Sequence, residues 1–195
     1  MQEKELNQQY WNSQYQNNTT GWDMKQVSPP LKAYIDQLTN KEQQILIPGC
    51  GNSYEAEYLL NQGFTNITLI DIAPALVETL QKKFAGRSSI RVVMGNFFEH
   101  TGNYDLILEQ TFFCALDPVL RPAYVAKMHE LLKPNGTLAG LLFNREFDGG
   151  PPFGGSEGEY RKLFAENFRI KTLEPCYNSF IKRAGTEVFM IFIRK

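Results

Sequence analysis

Ile45-Leu46-Ile47-Pro48-Gly49-Cys50-Gly51-Asn52-Ser53 is the stretch on which the reading of this chain turns. The stretch 44–47, apolar from Ile45 onward, reads as a buried first strand, and it breaks at once into a turn of small residues. Apolar positions resume at helical spacing over 56–61, with Ser53 as the expected cap and Gly63 just past the end. A buried strand, a glycine turn and a helix form the opening βα unit of a parallel α/β sheet. Such a turn lets a ligand approach the backbone, and the helix start presents unpaired N–H groups to it.

The alternation continues outward from this unit. Residues 66–70 read as a second strand closing at Asp71, after which Pro74 starts a helix with Leu76, Val77, Leu80 and Phe84 on its inner face. Third and fourth strands are expected at 90–94 and 104–108. Asp117-Pro118 offers a cap and a first-turn proline for a helix that restarts near Pro122. Its Val125, Met128 and Leu132 recur at helical spacing. Lys133-Pro134-Asn135-Gly136 reads as a tight turn into a fifth strand at 137–143. A Gly/Pro-rich loop, 148–155, precedes a capping box at Ser156-x-x-Glu159. Two alternating strands, 168–173 and 187–193, are separated by a turn containing Ala184-Gly185 and are expected to pair antiparallel. The fold class is therefore α/β, a doubly wound sheet. A plain dinucleotide-binding fold normally adds a sixth parallel strand; an antiparallel ending favours the class I methyltransferase variant.

The first turn supports that choice. In the pyrophosphate fingerprint GxGxxG the third glycine position is here Tyr54, which argues against a nicotinamide or flavin dinucleotide. S-adenosylmethionine has no pyrophosphate, and its small carboxylate suits the same electropositive turn. Asp71 lies twenty positions beyond Gly51 at the expected end of the second strand, where a carboxylate can accept from both ribose hydroxyls. At the third-strand exit, Met94-Gly95-Asn96-Phe97-Phe98, Asn96 can bond the adenine edge and Phe97 can cover its face.

Composition removes other classes. The chain has 195 residues, with Lys+Arg 20 against Asp+Glu 21, so no excess of base points to nucleic acid. No apolar run approaches the roughly 20 residues that span a bilayer, and the polar start at residues 1–9 lacks a signal-peptide core. Cys50, Cys114 and Cys176 are scattered, and with only His100 and His129 beside them no metal site is expected. His129 reads as a surface residue of its helix. A cytoplasmic monomer with reduced thiols follows as the expectation.

Four groups of residues carry a family likeness. They are Tyr10-Trp11-Asn12-Ser13-Gln14-Tyr15 with Thr20-Gly21-Trp22-Asp23; Ile47-Pro48-Gly49-Cys50-Gly51 with Asp71-Ile72; Phe112-Phe113-Cys114-Ala115-Leu116-Asp117-Pro118 with Arg121-Pro122-Ala123; and Leu131-Leu132-Lys133-Pro134-Asn135-Gly136 with Gly149-Gly150-Pro151-Pro152-Phe153. In this order and spacing the chain resembles the thiopurine S-methyltransferase family, most closely its plant halide/thiol methyltransferase branch, over nearly its full length. The resemblance implies a Rossmann-like seven-stranded sheet with an antiparallel terminal strand pair. It also implies an N-terminal lid and helix, 1–40, on a core of 41–195, with Trp11 and Trp22 closing over the cofactor. Gly49 would lie at its methionine end, with Asp71 at its ribose. Two departures stand out. The plant-like members generally carry an acidic residue where this chain has Asn96, and the mammalian members carry Asp-Arg where it has Glu109-Gln110.

S-adenosylmethionine brings an activated methyl group, so the expected reaction is in-line displacement by a small soft nucleophile, leaving S-adenosylhomocysteine. A thiolate, halide or thiocyanate needs no dedicated Ser/His/Asp or metal machinery, since a thiol is already partly ionised near neutrality. Trp22, Phe112, Phe113, Phe153 and Tyr177 are the expected pocket walls. Glu109, at the fourth strand's end, is expected to orient the cofactor amine or hold a thiol proton. Arg145 and Arg183 are the candidate anion guides. The cofactor-contacting set is thus Trp11, Trp22, Gly49, Gly51, Asp71, Ile72, Asn96, Phe97 and Glu109, and the reacting-side set Glu109, Trp22 and Arg183. A methyltransferase for tellurite, selenium or another small metabolite, and a non-catalytic S-adenosylmethionine-binding protein, are the competing readings.

Overall fold

A computed structural model describes residues 5–195. Part of the polar start read above, residues 1–4, lies outside the described residues.

Two N-terminal helices, α1 (Gln8–Gln16) and α2 (Pro29–Ile35), precede the sheet. Then β1 (Ile45–Pro48), α3 (Tyr54–Asn61), β2 (Ile67–Asp71), α4 (Pro74–Lys83) and β3 (Ile90–Met94) build one half of it. The other half is β4 (Tyr104–Gln110), α5 (Arg121–Leu131), β5 (Leu132–Phe143), α6 (Glu157–Phe164), β6 (Phe168–Pro175) and β7 (Glu187–Arg194). The strand order is β3-β2-β1-β4-β5-β7-β6, and β7 alone runs against its neighbours. The antiparallel ending read from the alternating apolar positions is present. The order reverses at β1, whose partners are β2 and β4, so the carboxyl ends of β1 and β4 open the switch-point crevice where this fold places ligands.

Alternation along the strands sorts the core into two layers. Leu46, Ile107, Leu138, Leu142, Met190 and Phe192 face α5 and α6, whereas Ile45, Ile47, Leu69, Leu106 and Leu108 face α2, α3 and α4. Leu76, Val77, Leu80 and Phe84 are buried as the helical spacing requires.

Helix ends follow local chemistry, with some adjustments. Gly63, at φ 85, closes α3 in a Schellman arrangement: Phe64 N–H donates to Leu59 O at 3.1 Å and Gly63 N–H to Leu60 O at 3.0 Å. Ser53 does not cap α3 through its side chain. It sits at φ 56 and its hydroxyl donates back to Cys50 O at 3.1 Å, tightening the turn. Ser156 accepts from Glu159 N–H, but the Glu159 carboxylate pairs with Arg121 across the interface, so only half of the capping box forms. Asp117 caps a short 3-10 turn, Pro118–Leu120, and the α-helix starts afresh at Arg121. The turn at 133–136 is an excursion inside β5: Tyr104 pairs with Leu132 and Leu106 already with Thr137, with Asn135 at φ 61. His129 is half-buried, its ring edge-on to Phe168 at 5.9 Å, because α5 lies closer to β6 than helical spacing alone conveys.

Phe164 anchors the α6 layer, fully buried with Phe113, Tyr124, Phe168 and Phe192 around its ring. Phe164→Ala is expected to cost about 3–5 kcal/mol, measured as a fall in the urea midpoint at unchanged m-value. A change below about 1 kcal/mol would mean that the neighbouring rings close the gap.

Candidate active site

The turn after β1 passes through left-handed backbone three times, at Gly49 (φ 54), Gly51 (φ 51) and Ser53 (φ 56). The two glycines meet that requirement without side-chain strain. At Gly49 a Cβ would also run into the ring of Phe112, which comes from the loop after β4. At Gly51 the nearest atom to a Cβ would be the Tyr15 hydroxyl at 3.8 Å, so the space over that residue is open. Asp71, at the end of β2, accepts from Ala73 N–H at 3.0 Å and lies 3.5 Å from Gly51 N. Burial pushes its carboxyl up to about 6.

These residues line one end of a cavity of about 840 Å³ that runs along the carboxyl edge of the sheet. Ile47, Cys50, Ile70, Ile72, Asn96, Phe97 and Phe98 complete this end, and Trp11, Tyr15 and Trp22 cover it. The two indoles meet edge-on at 5.6 Å, and Tyr15 meets Trp22 at 5.9 Å. The other end is walled by Phe112, Cys114, Phe143, Phe147 and Pro151, with Arg145, Lys182 and Arg183 beside them.

Polar contacts tie the N-terminal segment to this crevice. Asn12 accepts from Ala75 N–H at 2.8 Å, filling a free donor in the first turn of α4. Asp23 accepts from the Asn52 amide at 2.8 Å and from the Tyr54 hydroxyl at 3.3 Å. Ser28 N–H donates to the buried Glu55 carboxylate at 2.9 Å. From the far side of the cavity, Arg183 donates to the Trp22 carbonyl at 2.9 Å and approaches Glu187 at 3.5 Å. Five polar contacts thus hold an aromatic cover over the cavity.

Of the expected site residues, Trp11, Trp22, Gly49, Gly51, Asp71, Ile72, Asn96, Phe97 and Arg183 all line the cavity. The Asn96 amide is engaged locally: its oxygen accepts from Phe98 N–H and its nitrogen donates to Glu99. Glu109 departs from expectation. It is absent from the cavity lining, is fully buried, and directs its carboxylate into the protein. One oxygen accepts from Phe112 N–H at 2.8 Å and Phe113 N–H at 3.0 Å, the other from the Tyr124 hydroxyl at 2.6 Å. Burial raises its carboxyl to about 7. Three expected walls are also corrected. Phe113 packs behind Phe112 in the core, Phe153 is held behind the wall by its N–H bond to Cys114 O, and Tyr177 is 94% exposed. Cys176 takes the inward position, bonded through its N–H to Glu187 O, so its neighbour points out. Asn12, Asp23, Glu55 and Cys114 were missed as individual positions. Asn12 and Asp23 lie inside the quoted aromatic segments, but nothing local marks them as clasps.

Known proteins share this architecture. The Burkholderia thailandensis 1,6-didemethyltoxoflavin-N1-methyltransferase, solved with S-adenosylhomocysteine, aligns over 96% of this chain and 86% of its own at a TM-score of 0.75 and 21% identity. A TehB-like S-adenosylmethionine-dependent methyltransferase from Corynebacterium glutamicum aligns at 0.67 and 18% identity, covering 96% and 98% of the two chains. Those likenesses are of fold. In sequence, a probable thiol methyltransferase 2 of Arabidopsis thaliana is 31% identical over 78% of this chain and 70% of its own. Thiocyanate methyltransferase 1 of Brassica oleracea is 27% identical over 91% and 81%. The fold and the relatives together define an S-adenosylmethionine-dependent methyltransferase. The model of the thiopurine S-methyltransferase family matches residues 6–189, and the chain belongs to that family.

The crevice suits that cofactor: an open backbone cradle at Gly51, a buried carboxylate at Asp71 and an aromatic cover. Gly49→Ala is expected to cost about 1–3 kcal/mol, because the new methyl group meets Phe112 at a positive φ. Thermal melting checks this; an unchanged midpoint would show that the Phe112 ring moves aside freely.

Proposed function

We propose that this methyltransferase acts on small soft sulfur nucleophiles, thiolates and thiocyanate, with halide ions as further acceptors. The carrying observation is the cavity itself. Its acceptor end combines aromatic walls, Phe112, Phe143 and Phe147, with the cations Arg145, Lys182 and Arg183. Among the described residues that line it there is no histidine, and its carboxylates, Asp23, Glu55 and Asp71, already accept hydrogen bonds from protein groups. A nucleophile that arrives as an anion fits such a site. The names of the plant relatives point the same way.

When bound, S-adenosylmethionine supplies an activated methyl group on a sulfonium. In this reading the turn at Gly49 and Gly51 receives the methionine end, Asp71 the ribose hydroxyls, and Asn96 with Phe97 and Ile72 the adenine. Trp11 and Trp22 belong to a lid, carried among the described residues by 5–40, over the core 41–195. The lid excludes water, which lowers the solvation of an attacking anion. Arg183 lies where it can both draw an anion inward and hold the lid through the Trp22 carbonyl. The near-neutral charge fits a soluble small-molecule substrate, and no described helix is long and apolar enough to cross a membrane. We place the working protein in the cytoplasm as a monomer.

Labelled S-adenosylmethionine offered with a panel of thiols, thiocyanate, iodide, selenium compounds and tellurite tests the reading. Methylated sulfur products at the highest kcat/KM support it; a preference for selenium or tellurium acceptors overturns the acceptor class. Asp71→Ala is expected to weaken S-adenosylhomocysteine binding by about 10- to 100-fold in calorimetry, since hydrogen bonds to a charged acceptor are lost. The ionised carboxylate is the better acceptor, so wild-type affinity should fall as pH drops through about 6, while Asp71→Ala shows no such slope. Trp22→Ala should reduce turnover more than stability. Arg183→Ala should raise the KM for anionic acceptors and blunt its salt dependence; unchanged kinetics across salt would remove Arg183 from the site.

A further inference from the structure

The end of β4 and the loop that leaves it supply a stretch of cavity wall, Gln110, Thr111, Phe112, Cys114, Ala115 and Leu116, with Phe113 turned into the core behind it. Its backbone is strained at the start. Thr111, a β-branched residue, sits at φ 60, with its hydroxyl turned back onto Gln110 O at 2.7 Å. Such a conformation persists only when neighbouring contacts over-determine it. The contacts that do so here are the two N–H groups just beyond the strain, Phe112 and Phe113, both donating to one oxygen of Glu109. Tyr124 of α5 holds the other oxygen, and its ring packs on Phe97, Phe112 and Phe113. On the β5 side Gly140 leaves room for this arrangement, because a Cβ there would run into Glu109 itself.

The consequences reach both ends of the cavity. Phe112 is the residue whose ring closes on Gly49 of the cofactor turn. Two residues along, Cys114 O accepts from Phe153 N–H at 2.7 Å, which ties the proline-rich loop at the acceptor end to the same segment. The titratable groups facing Glu109 are Tyr124 and the buried Cys114 thiol; neither is a cation. Glu109 itself does not line the cavity.

We infer that Glu109 is a positioning residue for methyl transfer: its carboxylate receives the amides of Phe112 and Phe113 and thereby sets the wall that joins the cofactor turn to the acceptor chamber. The inference rests on the proposed transfer of methyl groups to small soft nucleophiles. It differs from a role as proton acceptor in one chemical respect. A glutamine has the same shape, with an amide oxygen for the two N–H groups and an NH₂ group that can donate to the Tyr124 oxygen. It cannot take a thiol proton.

The test compares Glu109→Gln, Glu109→Ala and Tyr124→Phe in the full chain. Three readouts are used: kcat and KM per folded protein, S-adenosylhomocysteine affinity by calorimetry, and hydrogen exchange of the Phe112 and Phe113 amides without ligand. Glu109→Ala is expected to lower kcat by about 10- to 100-fold, because one buried and one part-buried donor lose their acceptor, and to remove protection at both amides. Glu109→Gln should keep kcat within about 3-fold of wild type and retain the protection. Tyr124→Phe, which leaves both amide bonds, should fall between them and remains informative if Glu109→Ala does not fold. Glutamine as inactive as alanine would overturn the inference in favour of carboxylate chemistry. Loss of amide protection with kcat unchanged would reduce Glu109 to a stability role. A wild type that binds no S-adenosylhomocysteine and methylates no acceptor would instead defeat the functional reading, a result distinct from either.

Discussion

Close approach of the Phe112 ring to the bare backbone of Gly49, at the carboxyl edge of β1, governs this molecule. The chain must turn from a fully buried strand into a helix within a few residues while leaving open space beside the turn. Left-handed backbone at Gly49 and Gly51 achieves the turn, and the absent side chains leave space that a larger residue would occupy. Phe112 packs into the space over Gly49, and the opening over Gly51 becomes part of the cavity. The strand order then matters: β4 lies beside β1, so the loop that carries Phe112 is delivered to the glycine turn by sheet topology.

Around that turn the protein buries carboxylates. Asp71, Glu55, Glu109 and Glu187 are all nearly inaccessible, and in each case burial raises the carboxyl above its ordinary range. A buried carboxylate is costly unless donors surround it. Here the donors are mostly backbone N–H groups of turns and helix starts, at Ala73, Ser28, Phe112 and Phe113. Each carboxylate therefore organises a segment that frames the cavity: the second-strand exit, the N-terminal cover and the fourth-strand loop. Glu187, beside Arg183, does the same for the segment before β7.

Much of the architecture was legible from local pattern. The continuous apolar runs of β1 and β2 mark strands covered on both faces, and the alternation in β7 marks the different ending of the sheet. Helix spacing after Pro74 predicted the buried face of α4 residue by residue. Ser53 was misread because a serine before a helix usually caps it, and its left-handed backbone could not be seen from residue type. The bulge at 133–136 looked like a complete turn, since proline, asparagine and glycine mark turns equally well inside a strand.

Spacing and residue chemistry were enough to bring the sheet, the glycine turn and Asp71 at its strand end to one crevice, and the family resemblance added the aromatic N-terminal segment. Short-range preferences and hydrophobic periodicity act within a few residues, so they leave a readable trace along the chain. What required the folded molecule was direction. Glu109 stands at a strand end facing the crevice in any linear reading, yet its side chain turns inward to meet amides three and four residues ahead and a hydroxyl fifteen residues away. Tyr177 likewise points to solvent because Cys176 holds the inner position. Such orientations depend on which donors and which spaces distant segments bring together, and those exist only once the sheet has assembled.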